Sequence, residues 1–90
     1  MTTIELKFFF FQVLQLMLRH NGLERVSSDW LGGLEATLME LFLVEPKLRS
    51  IPEDSFIQLV ALQAVTIETK LMKRLPLFSG LPKLRWVFIY

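Results

Sequence analysis

Phe56-x-x-Leu59-x-x-Leu62-x-x-Val65-x-Ile67 returns as Phe78-x-x-Leu81-x-x-Leu84-x-x-Val87-x-Ile89, five apolar columns repeated at a constant offset of 22 residues. An amphipathic helix has no reason to preserve such an offset, whereas a stack of similar turns does. Working backwards, Leu38-x-x-Leu41-x-Leu43 fits the same frame 24 residues earlier, and Val13-x-x-Leu16-x-Leu18 fits 25 residues before that. The segments between these cores also match. Leu23 and Val26 follow the first, Leu48, Ile51 and Pro52 the second, and Leu71, Leu75 and Pro76 the third. A large residue then turns the chain back at Trp30, Phe56 or Phe78. A period of 22 to 25 residues falls within the range of about 20–29 known for repeats that contribute one strand each to a solenoid.

Each copy predicts one short strand, at residues 16–18, 41–43, 65–67 and 87–89. Alternation buries the first and third residue and turns the middle one to solvent. Parallel stacking then lines up like positions as ladders. Prolines 52 and 76 favour turn or extended backbone in the return segments rather than long helix. The competing reading is a small helical, membrane-associated bundle. Phe56, Val60, Ile67, Leu71 and Leu75 are roughly helically spaced, and residues 34–41 are rich in helix formers. That reading leaves the repeat offset unexplained and fits poorly with residues 86–90, Trp-Val-Phe-Ile-Tyr, a strong strand former.

With these residues in place, the stretches from Leu16 to Leu23 and from Leu48 to Phe56 resemble the leucine-rich-repeat family. The Ile51-Pro52 and Phe78-Ser79-Gly80-Leu81 turns are similar to its typical extracellular subclass, and more distantly to chaoptin-like adhesion and receptor ectodomains. The resemblance covers residues 13–90, about three and a half copies; residues 1–12 are a hydrophobic lead-in or partial repeat. It implies an α/β leucine-rich-repeat solenoid segment, with short parallel strands on the concave face and irregular or short helical convex segments. It further implies protein–protein interaction as part of an extracellular or cell-surface protein, with any membrane anchor outside this segment. The family's Asn column is filled by Asn21 alone, with Pro46 and Lys70 in the matching places, so the implied ladder of buried Asn is one rung long. Without the cysteine-rich caps of extracellular members, the chain reads as a fragment of a larger array.

The concave ladder is the usual binding surface of a solenoid. Its middle column is expected to read Met17, Phe42, Thr66, Phe88. One flanking column reads Gln15, Glu40, Ala64, Trp86, and the other Arg19, Val44, Glu68, Tyr90. The candidate protein-binding residues are Met17, Glu40, Phe42, Thr66, Glu68, Trp86 and Phe88. Aromatic anchors would supply affinity, and the acidic neighbours Glu40, Glu45 and Glu68 orientation and selectivity; ordinary sheet packing is the plainer explanation of the same aromatics. His20 is expected beside Glu45 on the neighbouring strand.

Composition narrows the function classes. The chain has 90 residues, room for one domain, and 52% of them are apolar, more than a small soluble domain ordinarily carries. The excess implies faces that something else covers. The formal net charge is +1 and the only basic cluster is Lys70, Lys73 and Arg74, a poor footprint for nucleic acid. With no cysteine and one histidine, disulfides, thiol catalysis and multi-histidine metal sites are excluded. Ser27, Ser28 and Asp29 read as a turn or cap, Glu53 and Asp54 are adjacent in a turn, and Gly32-Gly33 lacks a phosphate-loop continuation. No enzyme, cofactor or small-molecule substrate is expected. The stretch from Phe8 to Leu18 is too short to span a membrane, and its flanks lack the charge and cleavage pattern of a secretory signal. Phe10 stands where the tail of a preceding repeat would end.

Overall fold

The computed structural model describes residues 3–9 and 12–90. Five strands form one sheet in sequence order: β1 (Thr3–Phe9), β2 (Gln12–Arg19), β3 (Glu40–Val44), β4 (Ala64–Glu68) and β5 (Trp86–Ile89). Strands β2 to β5 are parallel neighbours, and the return segments between them make three turns of a small solenoid. The ladders follow the predicted register. Leu16 pairs with Leu41, Leu41 with Val65 and Val65 with Val87; Leu18, Leu43, Ile67 and Ile89 form the companion column.

These two columns point inward. Leu41, Leu43, Val65 and Ile67 are fully buried and meet Leu38, Leu48, Phe56, Leu59 and Leu62 from the return segments. Fully burying an aliphatic or aromatic side chain contributes about 1.5–3 kcal/mol, so this column-on-column packing is the main source of stability. The large residues that turn the chain back also stack. Trp30 lies 6.4 Å from Phe56, and Phe56 lies 5.6 Å from Phe78 at 22°, an aromatic spine along the return side.

Among the described residues there is no helix, which corrects the α/β class and the short helical convex segments, and removes the helical-bundle alternative. The returns are chains of single turns. Trp30, Gly32 and Leu34 each donate to the carbonyl three residues back, at 3.2, 2.9 and 3.1 Å, and Ser55, Leu59 and Leu62 do the same. The helix formers of residues 34–41 yield one bond of helical spacing, from Leu38 N to Leu34 O at 3.0 Å. Gly33, at φ 91, breaks the backbone before them and β3 begins at Glu40, which leaves too few residues for a helix to propagate beyond that one turn.

A second line of contact joins the turns beside the sheet. Arg25 forms a parallel bridge with Ser50, Arg49 N donates to Glu24 O at 2.8 Å, and Leu77 N donates to Glu53 O at 3.0 Å. Successive turns are therefore held along two hydrogen-bonded ladders.

At the other end the sheet changes direction. β1 runs antiparallel to β2, with Thr3 opposite Arg19 and Phe9 opposite Gln12, and a register shift between Lys7 and Phe8. The hydrophobic lead-in thus contributes an antiparallel strand to the β2 edge. Phe10, read as the tail of a preceding repeat, lies outside the described residues.

Candidate functional site

Turn residues and inward columns fix the sheet, so the alternate side chains share its outward face. Met17 pairs with Phe42, Phe42 with Thr66 and Thr66 with Phe88, the expected middle column. Glu40 lies between Gln15 and Ala64, and Ala64 pairs with Trp86. Glu68 lies beside Val44 in the third column. All seven candidate residues therefore lie on one face.

They are not equally available. Met17, Phe42, Thr66 and Glu40 are half-buried by their neighbours. Trp86 and Phe88 are 58% and 45% exposed, and their rings lie nearly parallel, 3° apart in orientation, with centroids 6.5 Å apart. The aromatic surface thus concentrates on β5, an edge strand of the sheet among the described residues. Glu40 is held in place by the Gln15 side-chain amide, which donates to its carboxylate at 3.0 Å. Glu68 is exposed.

Glu45, expected to join Glu40 and Glu68 as an acid of the binding face, has a structural role instead. This carboxylate is fully buried, just beyond β3. It accepts from the Asn21 backbone N–H at 2.9 and 3.0 Å, from Asn21 Nδ2 at 2.9 Å and, at longer range, from the Leu23 N–H at 3.4 Å. Its own N–H donates to Glu68 O at 3.1 Å. The resemblance implies a column of Asn side chains binding turn backbones. Here Asn21 and the acid of the next turn make a clasp instead, and Pro46, in the Asn place, takes no such part. Carboxylate bonds to backbone N–H groups are about twice as strong as neutral ones, and several of them meet on this one acid, which fastens the first turn to the second. The signal was available: Glu45 follows its strand directly and aligns with His20, next to the single Asn. His20 does stand there, at φ 55, donating its N–H to Val44 O at 2.9 Å.

A second feature extends part of the basic cluster read from the sequence. Glu24, Arg25 and Arg49 line one cleft, and Arg49, Glu53, Lys73 and Arg74 line the next. The repeat spacing aligns these cations although they are far apart in sequence.

Among the described residues, no group of three or more His, Asp or Glu side chains is placed to hold a metal ion. Ser27 Oγ donates to Asp29 Oδ1 at 2.8 Å, a bond within the turn. No protein-family model and no solved structure matches the chain.

Proposed function

We propose that this solenoid is a protein-interaction module of leucine-rich-repeat type, and that its outward sheet face, centred on Trp86 and Phe88, holds a protein partner. The single observation behind this reading is the parallel, exposed Trp86–Phe88 pair on a hydrogen-bonded sheet. Two aromatic rings held by one strand lose little freedom on binding, which is what anchors of an interface require. Phe42 and Met17 continue the apolar column, and Glu40 and Glu68 place acid on either side of it, so a partner segment with an apolar centre and basic flanks is the best match. The extracellular adhesion or receptor setting is proposed on the sequence resemblance alone.

A library of displayed 12-residue peptides selected against the folded chain tests this. Selected peptides should perturb the amide resonances of β3 to β5, and binding should be lost in Phe42→Asp, Trp86→Glu and Phe88→Asp with the circular dichroism spectrum unchanged. Peptides that bind all three variants as well as the parent would overturn the reading.

A further inference from the structure

The backbone groups of β5 divide between its two sides. Trp86 N donates to Gln63 O at 3.1 Å and Tyr90 N to Ile67 O at 2.9 Å, so the alternate residues Val87 and Ile89 turn their N–H and C=O groups to the open edge. We propose that a second copy of this chain binds along that edge, its β5 antiparallel to this one about a two-fold axis at Phe88.

Three observations select a second copy over an unrelated strand. First, residues 86–90, Trp-Val-Phe-Ile-Tyr, alternate aromatic and β-branched side chains and read the same in chemical class from either end. A strand that pairs antiparallel with its own copy needs this symmetry, because each residue meets the one equally far from the axis. Second, the backbone agrees with that axis. Val87 falls opposite Ile89 of the second copy, and both turn their N–H and C=O groups outward, so the two such pairs exchange a full set of ladder bonds. Phe88 then meets Phe88 of the second copy, and Trp86 meets Tyr90 of the second copy, at the non-hydrogen-bonded positions where side chains approach closest. Third, residues 86–90 carry no charge, whereas β1, at the other edge, carries Glu5 and Lys7. Charged residues are the ordinary protection of an edge strand against such pairing.

The axis runs perpendicular to the sheet, so each face continues across it. Val87 and Ile89, exposed in the single chain, cover their counterparts, and the aromatic rings of both copies join on the outward face. β2 shows that a strand of this sheet takes a parallel neighbour on one side and an antiparallel one on the other. The exposed parts of residues 86–90 come to roughly 500 Å² per copy, and a pair offers about 1,000 Å², the threshold of a specific interface. Pairing is therefore weak and reversible, with a dissociation constant on the order of 10–100 μM, and the dilute chain is a monomer whose edge is open.

Sedimentation equilibrium of the full chain from about 1 μM to about 1 mM tests this. A monomer–dimer equilibrium with nothing larger is expected. Amide exchange at Val87 and Ile89 should slow as the dimer forms, with Val65 and Ile67 unchanged. Val87→Pro removes an N–H that faces the edge and should weaken pairing by at least about tenfold at an unchanged circular dichroism spectrum. Should that variant fail to fold, Phe88→Lys sets like charges opposite each other at the axis and should weaken pairing as much. The chain has no cysteine, so Phe88→Cys introduces a single thiol, which should cross-link two copies on mild oxidation, while Trp86→Cys, farther from the axis, should not. A monomer throughout, assemblies larger than a dimer, undiminished pairing in a folded variant, or equal cross-linking of the two thiols overturns the proposal. Val87 lies outside the peptide-binding face, so Val87→Pro should lose the dimer and keep the selected peptides, and the failure of one reading leaves the other standing.

Discussion

Val65 and Ile67 in β4 and Val87 and Ile89 in β5 occupy the same two columns, on the same face, with the same chemistry. The first pair is fully buried; the second is 40% and 41% exposed. The difference lies in the neighbours. β4 has a strand on each side, whereas β5 is the edge of the sheet. In a stack of turns, a column residue is covered by the turn after its own as much as by the turn before. A repeat pattern therefore specifies which residues can be core, and the position in the stack decides which of them are. At the opposite edge, β1 pairs along the whole parallel-ladder stretch of β2. β1 is therefore the other edge of the sheet, and what sets β5 apart is that its open row of backbone groups lies beside the exposed Trp86 and Phe88, the usual setting for strand addition.

Amide exchange should show the largest contrast. Trp86 N donates to Gln63 O at 3.1 Å and Tyr90 N to Ile67 O at 2.9 Å, so the alternate N–H groups of Val87 and Ile89 point to the open edge. Those of Val65 and Ile67 point toward β5. The β4 pair should exchange only through opening of the sheet, and the β5 pair close to the rate of an unprotected amide. Similar protection at all four would show that the β5 edge is covered in solution. Truncation comes next. Ile67→Ala should cost about 2–5 kcal/mol, as buried aliphatic deletions do, and Ile89→Ala under about 1 kcal/mol, both read from urea unfolding. Equal costs would remove the distinction between the two strands. A narrower contrast than that between Ile67 and Ile89 concerns the clasp at the far side of the stack. Glu45→Ala strands the Asn21 and Leu23 donors and should cost about 1–3 kcal/mol, with the fastened β2–β3 pair losing protection and β5 unchanged. A loss of protection confined to β5 would contradict this placement.

The sheet was readable because column spacing is a property of the chain itself; four strands and their register follow from it. The outward face followed by alternation. Other parts were not readable to the same degree. β1 alternates cleanly as Thr3-Ile4-Glu5-Leu6-Lys7, but the longer apolar run beginning at Phe8 draws attention away from it, and direction relative to β2 is a tertiary choice. The returns have helical composition without helical length. Glu45 looks like a surface acid before a proline; its burial depends on Asn21 lying one turn away. Lys73 and Arg74 were readable as a cluster, but Arg25 and Arg49 join that flank only once the turns are stacked.

The second ladder has a consequence for how this chain tolerates changes in length. Nine residues separate Leu16 from Arg25 and Leu41 from Ser50; ten separate Leu43 from Glu53 and Ile67 from Leu77. From the sheet to the second ladder the path does not vary. Beyond it, three residues lead from Glu53 to Phe56 and one from Leu77 to Phe78, which is where the period shortens. A loop grafted between Val26 and Trp30, or between Glu53 and Phe56, extends an arc that already varies, while one added between Arg19 and Arg25 displaces both ladders at once. The molecule has a rigid gauge on one flank and an adjustable one on the other, and new segments belong on the second.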